Sequence, residues 1–144
     1  MQERAFASGK EIADVLATFT PGLRSDAFTF YLLDIPNFLL LGAAVTAVMA
    51  FGLRNLGLAR APFAWLLALP MIGAAADGIE NAALATALLS EQTRLEASTV
   101  AAAATSLKRM LAFDVCLPLM LLLAVAGLIG WLWRLVRSQI AAGA

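Results

Sequence analysis

Histidine is absent from the 144 residues, and Cys116 is the only cysteine. The first absence removes His-ligated haem, most zinc sites and the Ser–His and Cys–His catalytic pairs. The second excludes an intrachain disulfide and an iron–sulfur cluster. Cys116 lies in an apolar stretch, where a thiol reads as a small hydrophobe. Charge is scarce as well, at 14% of residues, where an ordinary soluble domain carries about 25%. Ten Lys and Arg balance ten Asp and Glu, so no net field gathers nucleic acid, which is excluded as a partner. No GxGxxG, Walker A or GxSxG pattern occurs. The sequence thus offers no ready catalytic set, no metal-binding motif and no cofactor motif.

What is present is hydrocarbon: 62% of the residues are hydrophobic. That composition excludes disorder and an ordinary soluble enzyme, and predicts an all-α integral membrane helical bundle. Three apolar runs stand out. Residues 35–53 are interrupted only by Asn37 and Thr46, and nineteen residues at about 1.5 Å each reach about 28 Å, enough for the hydrocarbon core. Ser25 and Asp26 are good cap types, so the helix is expected to begin there, drawing Asp34 inside and making Pro36 a kink. The second run, residues 62–89, has Pro62 suited to a first helical turn and carries Asp77, Glu80 and Asn81 in its second half. The third, residues 110–136, is interrupted by Asp114 and Pro118. Thr93 and Glu96 have the spacing of a capping box, and residues 97–107 are helical by propensity but too weakly hydrophobic to insert alone. This stretch extends the third span or forms a fourth. No Gly, Asn or Pro marks a turn near Lys108–Asp114, which favours three spans. The acid-rich 91–96 reads as a solvated loop.

Residues 1–26 are expected to form an amphipathic segment, with Ile12, Val15, Leu16 and Phe19 at helical spacing, lying on the membrane or against the bundle of residues 27–144. It lacks the apolar core of a signal peptide and is expected to be retained. Arg54, Arg60, Arg134 and Arg137 have no acid beside them, and the positive-inside rule makes their end cytoplasmic. Three spans then put the N-terminus in the periplasm and the C-terminus in the cytoplasm. Trp65, Trp131 and Trp133 fall on the cytoplasmic rim, and Phe28, Phe30 and Tyr31 on the other. Two stripes of small residues, Gly42/Thr46/Ala50 and Ala74/Gly78/Ala82, allow close helix approach.

This topology gathers the ionisable groups of the spans in one leaflet: Asp34 and Asn37 on the first, Asp77, Glu80 and Asn81 on the second, Lys108, Arg109 and Asp114 at the head of the third. Asp77, Glu80 and Asn81 share one helix face. A lone charge at mid-bilayer costs about 2.5–3.5 kcal/mol, so these groups must face the bundle and hold a proton or meet a cation. Lys108 or Arg109 is expected to pair Glu80, with Asn81 bridging. Such a cluster fixes helix register, binds a ligand, or relays a proton.

Leu33-Asp34-Ile35-Pro36, Asp77-Gly78-Ile79-Glu80-Asn81 and Thr105-Ser106-Leu107-Lys108 resemble the pattern of a loose group of small bacterial membrane proteins. That pattern has an aspartate entering the first span, D-x-x-E-N in a middle span and Thr-x-x-Lys beyond it. The resemblance covers roughly residues 30–135. The group has no established activity, so the likeness implies a shared architecture in a bacterial inner membrane and no mechanism.

Three functions fit. The first is a non-catalytic binding, accessory or assembly component, in contact with membrane lipids and with another membrane protein or further copies of itself. The second is an oligomeric, proton-coupled carrier of a lipid or amphiphile. The third is a membrane enzyme using Asp77 and Glu80 as acid and base on a lipidic substrate. The topology is checked by a cysteine at Gln92: an impermeant thiol reagent should label it from the periplasmic side, and labelling only after the inner membrane is opened reverses the assignment.

Overall fold

The computed structural model describes residues 8–60 and 62–142. Among them every element is helical: α1 (Gly9–Ala17), α2 (Pro21–Leu33), α3 (Ile35–Asn55), a 3-10 turn (Ala64–Ala68), α4 (Leu69–Leu89), α5 (Arg94–Arg109), a wide π turn (Met110–Cys116) and α6 (Leu117–Ala142). Elements α2 and α3 join into one stretch of 35 residues, and α5, the π turn and α6 into one of 48. At about 1.5 Å per residue these rods are about 50 and about 70 Å long.

The first helix is fixed by a reciprocal cap at Ser8 and Glu11. The Glu11 amide donates to Ser8 Oγ at 3.2 Å, and the Ser8 amide donates to Glu11 Oε2 at 2.8 Å. Its small residues let it lie close to the bundle: a Cβ on Gly9 would run into Thr99 of α5. Ala13 and Leu16 are buried, whereas Val15, from the expected apolar face, is exposed. Leu16 packs with Ala87 and Leu88 of α4. Of the amphipathic segment expected at the N-terminus, residues 1–7 lie outside the described residues.

Several expected boundaries move for local reasons. Helix α2 starts at Pro21, not at Ser25 or Asp26, because extended Thr20 caps it through its Oγ1 and proline suits a first turn. The 26/27 boundary therefore falls inside α2. The kink expected at Pro36 is a break at Asp34, which ends α2 and begins α3. The Asp34 carbonyl accepts from both the Asn37 and Phe38 amides, at 3.0 and 3.3 Å. In α4 it is Pro70, not Pro62, that occupies the first turn. Lacking an N–H, Pro70 leaves the preceding residues in the tighter 3-10 turn. Thr93 precedes α5 but does not form the capping box, because its backbone (φ −99°, ψ 1°) is not extended. Between α5 and α6 the chain does not turn. Pro118 cannot donate to the Asp114 carbonyl, and the helix widens ahead of it, with the Leu117 amide donating five residues back to Ala112.

The rods are arranged by small residues. Helix α4 returns antiparallel to α2–α3 and pairs with α5 through the turn after Leu89, while α3 lies against both α4 and α6. On α3, a Cβ on Gly52 would strike the Leu123 backbone, and a Cβ on Gly127 would sit 2.7 Å from Gly52 Cα. Met49, Leu53 and Leu123 form the dry core beside this contact. One turn further on, Arg134 donates to the Asn55 carbonyl at 2.8 Å and also to its side-chain oxygen. Arg137 lies over the Trp133 ring at 5.1 Å. The chain after α3 and the end of α6 therefore share one end of the molecule.

The exterior is apolar. Leu40, Leu41, Leu122 and Ile129 are all more than 60% exposed. By length and composition, Pro21–Asn55 and Arg94–Ala141 are long and apolar enough to cross a membrane. Helix α4, expected as the middle span, is not one of them, because Asp77, Glu80 and Asn81 dilute its apolar run. Gly127→Val should force α3 and α6 apart and cost about 1–3 kcal/mol, read as a lower thermal midpoint in detergent. Gly22→Ala, where an added Cβ meets nothing within 4 Å, should leave the midpoint nearly unchanged.

Candidate functional site

All three rods contribute to one polar cluster. Helix α4 presents Asp77, Glu80 and Asn81 on one face because they are three and four residues apart. The end of α5 presents Lys108, whose Nζ lies 2.9 Å from Asp77 Oδ1 and 2.5 Å from Glu80 Oε2. One ammonium thus spans two carboxylates a helical turn apart. The Asp77 and Glu80 side chains are 19% and 14% exposed and that of Lys108 30%, so water screens the pair only partly.

The first rod joins through its break. Asp34, at the α2–α3 junction, accepts from Asn81 Nδ2 at 3.0 Å on one oxygen and from Asn37 Nδ2 at 3.2 Å on the other. Two neutral amides thereby serve the third carboxylate. Tyr31, one turn before Asp34, is close enough to Glu80 to feel its charge. Gly78 makes room for the rods to close here: a Cβ at that position would lie 3.1 Å from the Phe38 ring of α3.

The structure brings together Asp34, Asn37, Asp77, Glu80, Asn81 and Lys108. Lys108, not Arg109, bridges the two acids of α4. Asn81 does not bridge the basic residue to Glu80, as expected from sequence; it faces α3 and ties α4 to Asp34. Asp114 takes no part in these contacts: it is exposed, and its place in the wide turn carries it away from the cluster. Sequence reasoning missed Tyr31 and Phe38 as neighbours of the cluster. The Gly78 side of α4 was legible as a small-residue stripe, but which ring would fill the space was not.

The cluster holds three carboxylates and one bridging ammonium. It can hold three helices at a common level, and it can take up a proton or a further positive charge. A separate apolar groove of about 350 Å³ lies between α4 and α5, lined by Ile79, Ala82, Ala83, Thr86, Ala97 and Val100. On α5 beside it, the Ser98 hydroxyl is buried and has no hydrogen-bond partner among the described residues. Among the described residues, no group of three His, Cys, Asp or Glu is placed to hold a metal ion. No protein-family model matches the sequence, and neither a curated protein nor a solved structure is significantly similar to it.

Lys108→Met would leave Asp77 and Glu80 facing each other without their shared cation. Breaking a buried pair on one side costs about 3–5 kcal/mol, and the partial exposure places this loss near the low end. Adding Asp77→Asn and Glu80→Gln to Lys108→Met should recover most of the stability. Chemical unfolding of the wild type and the two variants in one detergent checks both statements.

Proposed function

We propose that this chain is a non-catalytic component of a membrane, whose polar cluster clamps three helices at one level so that their outer faces can engage lipid and a partner. The observation that carries the reading is how the polar groups are spent. Lys108 is shared by Asp77 and Glu80, and both side-chain oxygens of Asp34 are taken by Asn37 and Asn81. Groups committed to one another across rods serve helix registry. A general acid–base pair would need one of them directed at a substrate.

Membrane residence rests on the two long apolar stretches and on the leucine-rich exterior. Helix α3, with 21 residues, is about 30 Å long and matches the hydrocarbon thickness by itself. In this reading Asp34 and its partners lie at one boundary of the hydrocarbon, and Arg54, Arg134 and the exposed Trp residues at the other. The layer built from α1, α2, the end of α4 and α5 stands at the periplasmic boundary or beyond it. The arginines at the opposite end assign that end to the cytoplasm.

A second reading, a carrier whose acids bind and release a proton, draws on the excess of carboxylate over ammonium in the cluster. The two readings separate experimentally. For the clamp, Asp77→Asn with Glu80→Gln should lower the thermal midpoint and, in parallel, the amount of complex that survives mild detergent. A stable double variant that retains its partners, or a clean monomer with a turnover, removes the clamp reading. For the carrier, Glu80→Gln in liposomes should abolish pH-driven movement of a lipid amine; normal movement removes that reading.

A further inference from the structure

Asp114 is an acidic side chain within the apolar part of the third rod that takes no part in the cluster. It is exposed, and its neighbours along the same face are Met110, Phe113, Leu117 and Leu121, each between 42% and 63% exposed. The buried side of the same segment is formed by Leu111 and Cys116. Asp114 therefore points away from α3 and α4, out of an apolar stripe. Among the described residues the ion pairs are Lys10–Asp14, Arg24–Glu91, Arg94–Glu91 and Lys108 with Asp77 and Glu80, and none reaches Asp114. The wide turn ahead of Pro118 sets this orientation, and such turns recur at functional positions in other helices.

On the membrane reading above, the stripe faces acyl chains, where the carboxyl group must hold a proton or meet a positive charge, and in its ionised form it calls for a cation. A second copy of the chain, related by an axis along the membrane normal, would bring one Asp114 level with another, and like charges at one depth repel. The complementary surface is therefore an apolar helix with a cation. From this we infer that the face of residues 110–121, centred on Asp114, docks a membrane-spanning helix of another polypeptide that carries a lysine or arginine level with Asp114.

The test uses the full chain in phosphatidylcholine vesicles with a labelled polyleucine peptide of about 20 residues. The peptide carries either one lysine at the Asp114 level or leucine throughout, and association is read by energy transfer. The lysine peptide should associate with the wild type about tenfold more strongly than the all-leucine one. Asp114→Asn and Asp114→Leu should erase the preference with an unchanged thermal midpoint, and Asp114→Lys should transfer it to a peptide with aspartate at that level. Equal association of wild type and Asp114→Asn with both peptides overturns the inference. So does a preference that disappears when phosphatidylethanolamine is added, because the carboxylate then belongs to a headgroup ammonium. Alkaline extraction of the same vesicles separates the two levels of failure. A chain retained in the membrane without peptide preference removes only the docking site, whereas a chain released to solution removes the membrane reading together with it.

Discussion

The structure depends on Lys108 standing between Asp77 and Glu80. Helices with leucine-rich exteriors have little to tell them at which height to pair, since apolar side chains slide past one another at small cost. Charge imposes a height. An ammonium within 3 Å of two carboxylates one turn apart is satisfied at a single register of α5 against α4. Asn81 and Asp34 repeat the condition between α4 and the first rod. The cluster contributes little net stability, since removing charges from water offsets much of their attraction. It contributes uniqueness of alignment.

The two ends of the rods are held by different physics. Near the cluster the contacts are polar and partly open to water. At the other end, α3 and α6 meet through Gly52 and Gly127 with backbone against backbone, and Arg134 satisfies the terminal carbonyl of Asn55. Close approach of this kind gains from dispersion and from weak backbone contacts, and it tolerates no added side chain. One end is thus aligned by charge and the other by shape.

The helical character of the chain, its long apolar runs and the grouping of Asp77, Glu80 and Asn81 were legible because they follow from composition and from the 3.6-residue period. The boundaries were less legible. Thr20, Pro70 and the uncapped Thr93 depend on backbone conformations that residue type only biases, so Ser25, Pro62 and the Thr93–Glu96 pair were equally good candidates on paper. The destination of Asn81 was hidden for another reason. An amide on the right face can serve either neighbouring rod, and only the break at Asp34 brings an acceptor within 3.0 Å. The glycines at the α3–α6 contact are widely spaced in sequence, and no period on one helix announces which residue of the other will face it.

The wide turn at Met110–Cys116 has a geometric consequence for the third rod. In a regular helix each residue advances the azimuth by about 100°, so one extra residue in a turn rotates all that follows relative to all that precedes. Here the offset lets one unbroken helix direct Lys108 at α4 above the turn and Leu123 and Gly127 at α3 below it. Deleting a single residue inside the turn would restore a uniform helix and swing one of these two faces out of phase. The rod is thus two recognition surfaces joined by a fixed angular step, and its seven-residue turn carries the information that sets the angle.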